Sequence, residues 1–167
     1  MPSVRHSIRL AAVVAALSAA TALAVPTAGA AGRPSVCKLL SARQLAAVHV
    51  GTACTHSSPL PFKQGGVTVA TVTSASWGRT GHVMASIYAV NSAYVTLARS
   101  KFDVGGTSVG VGDWSRFKGF SNGRTIAEMV FAVGNHIVDL EIEMPPNRPL
   151  ESRQQVVKLA SAIAGKL

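Results

Sequence analysis

From Val138 to Glu143 the chain alternates with a period of two. Val138, Leu140 and Ile142 point one way, and Asp139, Glu141 and Glu143 the other. That is the pattern of a strand with one face on a core and the other toward water. Val67–Trp77, rich in Val and Thr, repeats the pattern, and His82–Val90 follows across a turn at Gly78–Gly81. Trp114–Lys118, Arg124–Val133 and His136–Met144 complete about five expected strands. The turns between the last three are Gly119–Gly123, with Asn122-Gly123 suited to positive φ, and Gly134-Asn135. Connections this short make neighbouring strands antiparallel.

Helices flank the strands. Ser41 with Gln44 three residues on is a capping box, Leu45 and Val48 form an apolar stripe, and Gly51 ends the helix. Asn91 or Ser92 caps a short helix that runs to about Lys101. Leu150–Leu167 reads as a terminal helix with Val156, Leu159, Ala160, Ile163 and Leu167 on one face. Residues 55–66 read as a loop, Asp103–Asp113 as a Gly-rich connection, and Pro145-Pro146 as a break. The expected fold is α+β, in the order α-β-β-α-β-β-β-α: an antiparallel sheet with helices on one face and the other open to solvent.

The start of the chain reads as an address. Arg5, His6 and Arg9 precede the apolar run Leu10–Val25, and Ala28-Gly29-Ala30 offers small residues for cleavage. The run contains Ser18 and Thr21 and falls short of the roughly 20 apolar residues of a spanning helix. Residues 1–30 are thus expected to be a secretory signal, 31–36 a short linker and 37–167 a single domain, with no transmembrane segment in the mature chain. The expected destination is secreted or extracellular, in association with the cell wall or free of it. In such an oxidising setting Cys37 and Cys54 are expected to pair. The bond would pin the first helix to the following loop and contribute on the order of 3 kcal/mol. A metal site from Cys37, His49, Cys54 and His56 lacks zinc-finger spacing.

Cys37-Lys38-Leu39-Leu40-Ser41, Trp77, Val111-Gly112-Asp113-Trp114 and the terminal amphipathic helix together resemble small secreted proteins and lipoproteins of actinobacteria that have no assigned function. The resemblance spans residues 37–167. It implies a cell-envelope or extracellular setting and carries over no catalytic residue. The chain departs from the pattern in lacking a lipid-anchor cysteine and in placing Cys54 well before Trp77.

Composition narrows the function classes. Charged residues are 14% and aromatics 5%, which suits neither a coiled coil nor a disordered acidic tail. Removal of Arg5 and Arg9 takes the formal net charge from +9 to +7. Gly106–Gly110 and Gly119–Gly123 both match Gly-x-Ser-x-Gly, but neither Ser108 nor Ser121 has the strand before and helix after that a nucleophile elbow requires. The Gly105–Gly112 stretch lacks the Lys-Ser/Thr ending of a phosphate loop, so its glycines serve turns or close backbone packing. Asp113 is expected to cap the turn before Trp114. Asp139, Glu141 and Glu143 form a row that could hold a hard cation and reads first as a solvated face. No catalytic residue, metal or cofactor is assigned.

The densest combination of aromatic and positive side chains is Trp114, Arg116, Lys118, Phe120 and Arg124, the expected binding edge. The expected function is a secreted binding module without catalysis. Its expected partners are an anionic cell-wall polymer, lipid headgroups or another secreted protein, with no nucleic acid. Two alternatives stand beside it: a small hydrolase using Asp113, His136 or Ser108, and an enzyme inhibitor presenting loop 55–66.

Overall fold

The computed structural model describes residues 35–79, 81–103 and 105–167, so the signal reading and most of the linker lie outside the described residues. A 3-10 turn at Val36–Lys38 leads into α1 (Ala42–Ala46). The strands are β1 (Cys54–His56), β2 (Leu60–Gln64), β3 (Val67–Trp77) and β4 (His82–Val90), then β5 (Trp114–Ser121), β6 (Ile126–Val133) and β7 (His136–Glu143). A second 3-10 turn at Ser92–Tyr94 precedes α2 (Val95–Phe102), and α3 (Arg153–Ala164) ends the fold. Among the described residues the fold is α+β, with a seven-stranded antiparallel sheet and three α-helices.

The sheet runs β1-β3-β4-β7-β6-β5, with β2 also paired to β3. The hairpins β3–β4, β5–β6 and β6–β7 follow from their short connections. The β4–β7 pair, with Val83 opposite Ile142 and Ala85 opposite Leu140, joins the two halves without a hairpin. Two strands more than expected arise in 55–66. This segment pairs with β3, Cys54 opposite Trp77 and Leu60 opposite Val72. Pro61 and the flanking Ser and Gly residues conceal the pattern, and an edge strand tolerates proline because one row of its backbone groups is not needed for pairing.

Alternation builds the core. Trp77, Val83, Ala85, Met129, Phe131, Leu140 and Ile142 lie on one face and pack against Leu39, Leu45, Val48, Val156, Leu159 and Ile163. α1 and α3 therefore cover this first face. α3 starts later than the sequence suggests. Leu150 is buried ahead of it, and Gln155 Oε1 accepts the N–H groups of Glu151 and Ser152 at the helix start.

The alternation of β7 predicts an open second face, but this face is partly covered. Tyr94, Val95, Ala98 and Phe102 of α2 and its lead-in turn pack on Ala70, Val90, Val130, Ala132 and Ile137. One end of this face is a small second core. The other end carries Ser76, Met84, Glu128, Glu141 and Glu143, all half-buried or exposed. Ile137, buried on the second face, is the residue that breaks the simple alternation.

Cys37 and Cys54 form a disulfide, so neither is available as a thiolate ligand. The bond fastens the first 3-10 turn to β1 rather than to a loop. Gly106 and Gly112 allow close approach along β5 and β6. A Cβ on Gly106 would stand 2.6 Å from the Phe117 carbonyl oxygen, and one on Gly112 would collide with that of Ala132. Thr107 exchanges two backbone hydrogen bonds with Phe117 there, partly covering the β5 edge.

Candidate functional site

The five residues of the expected binding edge divide between the two faces. β5 carries a bulge between Phe117 and Gly119 that reverses its side-chain parity. Trp114, Arg116 and Lys118 lie on the second face beside α2. Arg116 Nε donates to Asp103 Oδ1 at 2.7 Å, and its guanidinium lies 5.4 Å from the Trp114 ring centre. Lys118 Nζ donates to the Phe102 carbonyl at 3.1 Å, at the C-terminal end of α2, where a cation meets the negative end of the helix dipole. Phe120 turns to the first face, edge-on to Phe117. Arg124, with a φ of 66°, lies over Phe120 at 5.7 Å and donates to the Glu151 carbonyl at 3.1 Å. These cations are joined to the protein's own acceptors, fastening α2 and the lead-in to α3.

The hydrolase candidates have local duties as well. Asp113 Oδ2 accepts the Gly134 N–H at 2.7 Å and faces Arg99 at 3.3 Å. It caps the β6–β7 turn, not the turn before Trp114. Ser108 follows the Thr107 bridge in a connection that leads to β5, and Ser121 ends β5 at a hairpin; neither stands on a strand-to-helix elbow. His136 occupies the start of β7 beside Val133.

Among the described residues, the cations that no acid of the fold pairs with lie largely on the helix side. Around α1 and α3 stand Lys38, Arg43, Arg148, Arg153, Lys158 and Lys166, all exposed, with Glu151 the acidic residue among them. Lys166 Nζ donates to the Lys38 carbonyl at 2.7 Å, which brings the two cationic ends of the layer together. Two open depressions lie on this side: about 550 Å³ between His49, Arg148, Pro149 and Glu151, and about 320 Å³ between Val109, Arg153, Gln154 and Val157. The acids gather on the other face, with Glu128, Asp139 and Glu141 on paired or adjacent positions of β6 and β7, and Glu143 beyond them.

That second face contains two further arrangements. The Tyr88 ring meets Phe102 at a tilt of 56° with centroids 5.1 Å apart, and burial, followed by the negative charge of Asp139, pushes its phenol up to about 12. At the open end, His82 pairs in register with Glu143, its Nε2 3.5 Å from Oε2. Together with Glu141 these side chains offer ligand atoms all within 4.8 Å of one another. The carboxylate row is legible in the sequence and the histidine is not, because His82 joins it only through the β4–β7 pairing. Among the described residues no helix is long and apolar enough to cross a membrane. Comparison with family models, curated proteins and solved structures found no match.

Proposed function

We propose that this chain is a secreted, non-catalytic binding module that acts at the cell envelope, engaging an anionic surface through the layer formed by α1 and α3. The observation that carries this reading is the separation of charge. The exposed cations of the helix layer stand apart from Glu128, Glu141 and Glu143 at the open end of the sheet face, while on that face Arg99 and Arg116 are paired with Asp113 and Asp103. A positive layer steers toward phosphate- or carboxylate-bearing polymers and headgroups, and the acidic end of the sheet face disfavours the reverse orientation. The helix layer supports the reading better than the 114–124 hairpin, whose cations are joined to Asp103, Phe102 and Glu151. The Cys37–Cys54 cystine is in keeping with an oxidising compartment.

The test is retention of the purified protein on isolated cell envelope at low and at high salt. The reading expects retention that falls steeply as salt screens the exposed charges. Absence of retention at low salt would reject it. Purified anionic polysaccharide and anionic lipid vesicles, run as separate arms, identify which source supplies the anion.

A further inference from the structure

We propose that His82, Glu141 and Glu143 form a binding site for one divalent transition-metal ion, at the open end of the second sheet face. The proposal is independent of the envelope reading, because α1 and α3 pack on the opposite face.

The geometry starts from strand register. His82 on β4 is directly paired with Glu143 on β7, and Glu141 is two residues back along β7. A period of two puts Glu141 and Glu143 on the same face, the face that His82 shares. Three donors from two hydrogen-bonded strands are thus presented by a backbone that needs no rearrangement. Their ligand atoms lie within 4.8 Å of one another. Two ligands bound to one ion at roughly 2.1 Å each stand about 3.0–3.4 Å apart. His82 Nε2 and Glu143 Oε2, at 3.5 Å, are already close to that separation. Glu141 supplies the third ligand atom, within 4.8 Å of the other two.

The donor types select the class of ion. Calcium and magnesium take oxygen ligands almost exclusively, calcium six to eight of them. An imidazole with two carboxylates suits zinc and its first-row neighbours. The surroundings favour a cation as well. Glu128 on β6 is directly opposite Glu141, and like charges at directly paired positions repel. With three protein ligands, the remaining coordination positions are open to water or to a donor brought by a partner.

The probe is Zn²⁺ itself, titrated by calorimetry into purified, disulfide-bonded protein stripped with chelator, with Co²⁺ substitution to read the ligand field. The expected result is saturable binding of one equivalent, a rise in Tm of several degrees and a visible Co²⁺ spectrum. His82→Ala and Glu143→Gln should each weaken Zn²⁺ at least tenfold, and Glu151→Gln, on the helix side, should leave it unchanged. Glu143 is exposed, so its variant reports on the site even where His82→Ala perturbs folding. Absence of Zn²⁺ binding, or binding undiminished in Glu143→Gln, would overturn the proposal. So would Ca²⁺ binding as tight as Zn²⁺, which would mark an acidic patch without a role for the imidazole.

Discussion

The indole N–H of Trp77 donates to the backbone carbonyl of Cys37 at 3.3 Å, across forty residues of sequence. The same Trp77 is the register partner of Cys54. One buried side chain thus underlies both halves of the cystine, and a cysteine distant from Trp77 in sequence adjoins it in space. The disulfide closes a segment with a sequence separation of 17, for which loop-closure entropy gives about 3 kcal/mol. Replacing both cysteines by Ser should lower unfolding free energy by about that amount in urea titrations. A loss below about 1 kcal/mol would mean that the Trp77 contacts hold the first turn without the bond.

The glycines of the connection before β5 should differ sharply in tolerance. Gly105 and Gly112 both have positive φ, 70° and 62°, but a Cβ on Gly105 meets nothing within 4 Å. Gly105→Ala should cost roughly 1–2 kcal/mol, the strain of a left-handed residue. Gly112→Ala adds a collision with the Ala132 carbonyl and should cost more. Equal losses in thermal melts would contradict the close approach.

Arg116 should behave as a structural residue. Its charge-assisted hydrogen bond to Asp103 stabilises the C-terminal end of α2 against the sheet. Arg116→Glu puts like charges together and should destabilise the fold by roughly 1–2 kcal/mol. Lys158→Glu, on the exposed face of α3, should stay within about 0.5 kcal/mol of the parent.

Tyr88 gives the fold an alkaline sensitivity. Its phenol, raised to about 12 in the folded chain, ionises near 10 when unfolded. Between these values the unfolded state has lost the proton and the folded state keeps it, so stability falls as pH rises from 10 to 12. The loss is on the order of 2–3 kcal/mol. Tyr88→Phe should flatten the dependence in urea midpoints measured at pH 9 and pH 11.5. A slope unchanged by the substitution would assign it to other groups.

The sequence was most informative where pattern and connection length agree. β3 and β4 occupy the spans their alternation marks, and the Ser41–Gln44 capping box forms as expected. β2 was hidden because an edge strand with one pairing neighbour needs no apolar alternation, and its Leu60 stays exposed. The cover over the second face was hidden because α2 contributes only a narrow apolar stripe, which meets Ile137 and Val130 through tertiary packing. The separation of charge and the approach of His82 to Glu143 depend on the β4–β7 pairing, which no local signal encodes. The parity of β5 depends on a bulge after Phe117, which moves Phe120 and Arg124 away from Arg116.

The central claim is that the exposed cations of the helix layer hold the protein on an anionic surface. The direct measurement compares the parent with Arg43→Glu/Arg153→Glu/Lys158→Glu in low-salt retention on isolated envelope, after both are shown to melt at the same temperature. The account predicts that retention falls at least tenfold in the triple variant and that its residual salt dependence is shallow. Retention equal to the parent's would place the contact elsewhere and contradict the account.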